Sequence, residues 1–98
     1  MLLLSRFIIN GHSMEPTIKN DQTVFVSKIP YLFFKPKVGD VVGFRQSDKV
    51  FIKRIFQINE EKYFLKGDNE DDSWDSRRFG WIARKDIVGK VIIKISNS

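Results

Sequence analysis

The sequence has no cysteine and a single histidine, His12. Without thiols no disulfide can staple the chain, and no thiolate can act as nucleophile or metal ligand. A lone imidazole directly beside a serine fits a Ser-His-Asp triad poorly, because neighbouring side chains on an extended backbone point to opposite sides. It also leaves a histidine-based metal site without support. Long apolar runs are missing too. No stretch reaches the roughly 18 residues needed to cross a bilayer, and Arg6 interrupts the apolar start at residues 2–9. That start is too short for a signal-peptide core with a small-residue cleavage site, so it reads as a buried strand. There is no arginine-rich arm, no helix-turn-helix pattern and no ribonucleoprotein-type aromatic motif, so nucleic acid is not an expected partner. The net charge of +5 and pI near 9.6 still favour an anionic surface of some kind.

What is present suits one small domain over residues 1–98: 42% of the residues are hydrophobic and 13% aromatic, enough for a thin core. Branched and aromatic residues recur in short runs at 2–9, 23–29, 41–45, 50–58, 63–66, 81–84 and 87–95. Turn formers punctuate them, among them Asn10-Gly11, Asn20-Asp21, Gly39-Asp40 and Gly67-Asp68-Asn69. In the second run Val24, Val26 and Lys28 alternate with Phe25, Ser27 and Ile29. The expected fold class is mainly β, a small antiparallel sheet domain. Residues 30–37 carry an apolar group, Tyr31, Leu32, Phe33 and Phe34, between two prolines and beside lysines. They read as a surface loop. Either these side chains plug the core, or they form an aromatic tip at a membrane interface with lysines at head-group level.

Three stretches bear on chemistry. In Gly11-His12-Ser13-Met14-Glu15-Pro16-Thr17 a serine stands between an apolar strand and a turn directed by Pro16. Gly11 has no Cβ to block a ligand's approach. Lys53 lies inside an apolar strand, between Phe51-Ile52 and Ile55-Phe56. A lysine there either snorkels to water or is a general base. A free lysine titrates at about 10.4; apolar burial disfavours the ammonium and lowers that value, and a neutral amine can take a serine's proton. The third stretch, residues 67–77, is dense in turn formers and carboxylates but lacks the alternating ligands and central glycine of an EF-hand. No metal and no cofactor are expected.

Together these stretches resemble the type I signal peptidase family. The serine segment is similar to its Gly-x-Ser-Met-x-Pro-Thr, Gly39-Asp40-Val41-Val42 to its Gly-Asp-Val-Val strand, and Phe51-Ile52-Lys53-Arg54-Ile55 to its lysine motif. Residues 67–77 match its Gly-Asp-Asn-x-x-x-Ser-x-Asp-Ser-Arg at the same spacing. The resemblance runs from about Phe7 to Val91. It implies the sheet fold that this family shares with self-cleaving repressors, with Ser13 as nucleophile and Lys53 as general base. The Ser13 N–H would donate to the oxyanion, with Gly11 at the position where some members supply a serine hydroxyl. It further implies that Ser73 orients the Lys53 amine, that Asp75 pairs with Arg77 and Arg54, and that Met14 shields Lys53 from water. By position, Ile9, Asn10, Gly11, Ile18, Phe51 and Ile52 would bind an extended substrate and select small residues such as Ala before the cleaved bond.

The expected partner is a precursor protein with an extended leader segment, which the serine endopeptidase would remove. The expected place is a membrane surface, reached peripherally through Tyr31, Leu32, Phe33 and Phe34 or through another subunit, since the family's anchor segment is not found ahead of the serine. The alternatives are a soluble, cytoplasmic maturation protease for one precursor, similar to those that trim nickel-type superoxide dismutase, and a catalytically dead peptide-binding β-domain.

Overall fold

The computed structural model describes residues 3–71 and 74–96. Its centre is one antiparallel sheet built from β1 (Leu4–Ile8), β2 (Thr23–Ser27), β3 (Val41–Gln46), β4 (Lys49–Asn59), β5 (Lys62–Lys66), β6 (Ile82–Ala83) and β7 (Ile87–Ile95). The strands lie in the order β1-β2-β7-β3-β4-β5-β6. The mainly-β expectation holds, and the strand runs read from alternation fall on these elements. The run at 81–84 is shorter than expected: only Ile82 and Ala83 pair, and Arg84–Asp86 forms a 3-10 turn into β7.

The hairpins follow from local chemistry. Gln46 pairs with Lys49 and Asn59 with Lys62, so each connection is two residues long. All four turn residues, Ser47, Asp48, Glu60 and Glu61, have positive φ, the handedness that matches the twist of the flanking strands. Neither turn uses glycine, so polar side chains there accept a strained backbone on the solvent side.

Two apolar clusters hold the sheet. One joins Val42, Phe44, Ile55, Tyr63, Leu65, Ile82 and Ile87. The other joins Met14, Ile18, Val24, Val26 and Ile52. The second cluster covers one face of β2 through the buried Val24 and Val26, and Thr23 and Ser27 on the opposite face are buried as well. The alternation read over residues 23–29 therefore belongs to an inner strand, paired with β1 on one side and β7 on the other.

Residues 30–33 are not a loop but a single helical turn, α1 (Pro30–Phe33). Proline is well suited to a first helical position, where its missing N–H costs nothing. Tyr31 packs against the first cluster and its hydroxyl donates to Asp40 Oδ2 at 2.7 Å. Burial first, then this carboxylate, pushes the Tyr31 phenol well above its ordinary range. Leu32, Phe33 and Phe34 do not plug the core: all three are more than half exposed.

β7 passes very close to β2 where Gly89 faces Gly43 of β3. A Cβ on Gly89 would sit 2.5 Å from the Ser27 carbonyl oxygen and 2.8 Å from its carbon. Backbone on that side cannot swing away as a side chain can. Gly89→Ala is expected to destabilise the fold by about 1–3 kcal/mol, lowering the melting temperature by roughly 4–8 °C per kcal/mol. Thermal unfolding followed by circular dichroism checks this; an unchanged midpoint would show that β2 and β7 can separate freely.

Candidate active site

The segment after β1 is tied down before it reaches Ser13. Ile9 N–H donates to Gln22 O at 2.9 Å, Asp21 N–H to Ile9 O at 2.8 Å, and Gly11 N–H to Asn20 Oδ1 at 2.7 Å. Gly11 has φ of +108°, a conformation that a side chain would strain. The chain then coils over Met14 and Ile18, which are buried beneath it, with Ile18 N–H donating to Met14 O at 2.9 Å. This coil is pinned from a second direction. Asn69 donates its backbone N–H to Ser13 O at 2.8 Å and its side-chain amide to His12 O at 3.1 Å.

Lys53 comes from β4, 40 positions along the chain, and is only 4% exposed. Its Nζ lies 2.6 Å from Ser13 Oγ, and the two share a hydrogen bond. An ammonium donates in that bond, whereas a neutral amine accepts from the hydroxyl. Phe51, Lys53 and Ile55 share one face of β4 by strand alternation, so the amine reaches the serine from an apolar row.

A groove of about 470 Å³ runs past this pair, lined by residues 7–14, residues 49–53 and Trp74. Both long walls are strand edges with unused hydrogen-bonding capacity. β4 pairs with β3 over residues 49–54, but its pairing with β5 begins only at Arg54. β1 ends the sheet and pairs only with β2. A slot between two open edges fits an extended peptide, which would complete both ladders.

The loop behind the groove is held by charge. Asp75 is fully buried. Its Oδ2 accepts from Gly67 N–H at 3.0 Å and from Arg77 Nη2 at 2.8 Å, and its Oδ1 accepts from Arg77 Nε at 3.0 Å and from Arg77 N–H at 3.1 Å. The last bond caps α2 (Ser76–Phe79). Ser76 Oγ accepts from Leu65 N–H at 2.9 Å, tying the same turn to β5.

Most residues expected from the sequence meet here. Ser13, Lys53, Met14, Ile9, Asn10, Gly11, Phe51 and Ile52 all line the groove. Two do not follow expectation. Ile18 is a core residue, 2% exposed and packed with Val24 and Val26, and it takes no part in the groove wall. Arg54 does not pair with Asp75. Its Nε and Nη2 fork onto Asp68 at 2.8 Å each, and its Nη1 donates to Gly39 O at 2.7 Å. The register explains this: Arg54 faces Lys66, one residue before the turn that carries Asp68. Ser73 lies outside the described residues.

Sequence reasoning missed Asn69 as the clasp on Ser13, and it missed the His12–Glu15 contact. His12 Nδ1 lies 2.7 Å from Glu15 Oε2, and this bond holds the Glu15 carboxyl below the usual carboxylate range. The i,i+3 spacing was the available signal. Among the described residues no cluster of side chains has the composition of a metal site, and no helix is long and apolar enough to cross a membrane.

The Arg54 fork also holds the Asp68 carboxyl below its ordinary range, with a hydrogen bond from Thr17 adding to it. A depressed folded-state value stabilises the fold above the unfolded carboxylate range and loses that contribution as pH falls through the folded value. Asp68→Asn should therefore lower stability at pH 7 by about 1 kcal/mol, the scale of a partly exposed pair. The gap to the parent protein should begin to narrow below about pH 4 and shrink further as the pH falls. Melting curves at pH 7 and pH 3.5 test this; a gap that widens in acid would contradict it.

A family model described as signal peptidase, peptidase S26, matches residues 1–57 and 55–96. A signal peptidase I of Buchnera aphidicola is 34% identical over 102 residues, covering 91% of this chain and 31% of that protein. The mitochondrial inner membrane protease subunit 1 of Xenopus tropicalis is 27% identical over 111 residues, covering 90% of this chain and 66% of that protein. A protein named inactive signal peptidase IA, from Staphylococcus aureus, is 21% identical over 144 residues, covering 96% and 83%. The chain thus spans between 31% and 66% of the length of the first relatives it matches.

Proposed function

Because the chain belongs to the signal peptidase family, peptidase S26, we propose that it is a serine endopeptidase in which Ser13 is the nucleophile, Lys53 the general base, and the leader segment of a precursor protein the substrate. The observation that carries this reading is the 2.6 Å contact between Ser13 Oγ and a lysine amine that is 4% exposed. Burial in an apolar row works against the ammonium and favours the neutral amine that a base requires.

In this reaction the precursor lies extended in the groove with its scissile carbonyl over Ser13. Oγ attacks the carbonyl carbon while its proton moves to Nζ. The negative charge on the carbonyl oxygen is met by the Ser13 backbone N–H. The C–N bond breaks, Lys53 gives its proton to the leaving amine, and an acyl-enzyme ester remains on Oγ. Water attacks that ester with Lys53 again taking the proton, which frees the leader's carboxylate and restores Ser13. Asn69 keeps the Ser13 carbonyl fixed, and Ser73 orients Nζ in the proposed arrangement. Asp75, Arg77 and Arg54 hold the surrounding loop rather than touch substrate. Branched side chains such as Ile9 and Ile52, together with Met14, restrict the residues before the cleaved bond to small ones.

Exposed Leu32, Phe33 and Phe34, with Lys35 and Lys37 beside them, support work at a membrane surface. The relative named inactive keeps a second reading in view, a peptide-binding domain without turnover. A buried amine bonded to a serine hydroxyl has no purpose in binding alone, and this favours the enzyme.

The test is mass spectrometry of two peptides incubated with the protein, one with Ala at both positions before the cleaved bond and two residues earlier, the other with Leu there. Only the Ala peptide should be cut, and Ser13→Ala should cut neither. Lys53→Arg should lose roughly 10²- to 10⁴-fold in rate, since a guanidinium stays protonated. Substantial activity in Lys53→Arg would remove lysine from the base role. In the parent protein kcat/KM should rise with pH as Nζ loses its proton; a flat profile between about pH 6 and 9, on either side of neutrality, would contradict a titrating lysine.

A further inference from the structure

Three large aromatic side chains, Phe7, Phe51 and Trp74, line the groove, and the reaction above gives Trp74 no task in it. Trp74 lines it together with Ser13 and Lys53, yet remains 54% exposed. Its ring is not loose. The Phe79 ring stands 6.3 Å away, Phe79 is 5.7 Å from Phe44, and Phe44 is 5.8 Å from Phe51. Phe44 is fully buried, so this row of rings roots Trp74 in the core and leads back to Phe51 on the β4 wall. The Arg78 guanidinium also lies 5.5 Å from the centre of the indole ring, a cation–π contact that favours its orientation. The result is a rigid apolar plate at the rim of the groove. Tryptophan in that situation offers much contact area at little entropic cost, which is why it dominates binding energies at interfaces. No carboxylate lines the groove among the described residues, while His12, Lys49 and Lys53 do, so an acidic plate edge that would favour a basic side chain is not found there.

We propose that Trp74 is a specificity-determining contact, a platform for one apolar side chain of the extended precursor lying outside the small-residue pockets. This deepens the peptidase reading and rests on it. The substrate class becomes narrower: leaders that combine small residues before the cleaved bond with a bulky apolar residue nearby. Arg78 and Phe79 act on that choice by positioning the indole.

The protein has two tryptophans, and this makes the platform directly observable. Trp81→Phe leaves Trp74 as the sole indole, and Ser13→Ala in the same chain stops turnover. Peptides with Ala in both pocket positions are scanned with Gly or Leu at each remaining position. For one position, the Leu peptide should shift Trp74 emission to the blue and bind about tenfold or more tightly than its Gly counterpart, the discrimination expected of an apolar pocket. In protein that keeps Ser13, the Leu-to-Gly ratio of kcat/KM at that position should match, should fall towards one in Trp74→Ala, and should be partly kept in Trp74→Phe. A ratio that persists in Trp74→Ala, or an emission unmoved by peptides that the parent protein cleaves, overturns the proposal. If the parent protein cleaves no peptide, the peptidase reading is what fails. The titration then decides the platform separately: a Leu-dependent blue shift supports it and no shift overturns it.

Discussion

An amine that leaves water needs a partner, and the site is built around meeting that need for Lys53. Four per cent exposure on an apolar face makes an unpaired ammonium expensive. The serine hydroxyl 2.6 Å away answers part of the cost, and it answers only if the coil that carries Ser13 is held still. That requirement accounts for much of the nearby hydrogen bonding. Residues 9–11 are fastened to residues 20–22, Asn69 clasps the coil from behind, and Met14 and Ile18 weigh it down into the core. The charged pairs lie one layer further out. Asp75 with Arg77, and Asp68 with Arg54, fix the loop that supplies Asn69.

The same loop reaches both Ser13 and the rim of the groove. Its start carries the clasp on Ser13, and its end carries Trp74 and the short helix that supports it. A change in the loop's anchoring would therefore be felt in both the position of Ser13 and the shape of the groove. The open edges of β1 and β4 supply backbone pairing to any extended chain, so discrimination among peptides has to come from side chains at the walls and rim.

Much of this was legible in the sequence because strand alternation and turn chemistry are local. The runs around Val42, Ile55 and Leu65 announce themselves by clustered β-branched and aromatic residues between turn formers, and the sheet follows. Ser13 and Lys53 were legible through the company they keep, a glycine and proline around the serine and apolar neighbours around the lysine. What was not legible depended on register. Arg54 finds Asp68 because β4 and β5 pair Arg54 with Lys66, and no spacing rule in the chain separates Asp68 from Asp75 as its partner. Ile18 reads equally well as a pocket residue or a core residue until the coil over it is known. α1 was hidden because Pro30 suggests a break, although proline also opens helices.

The strand order has a consequence for how the site comes into being. β1 and β4 stand three strands apart, with β2, β7 and β3 between them, yet the groove needs both as its walls. Only a sheet that curls through all the intervening strands brings them face to face, and β7, which closes that arc between β2 and β3, comes last in chain order among the described strands. The Ser13–Lys53 contact is thus a product of the whole sheet and not of any hairpin within it. The contact therefore reports on the sheet as a whole: whatever loosens β2, β7 or β3 separates the two walls, and Ser13 and Lys53 part with them.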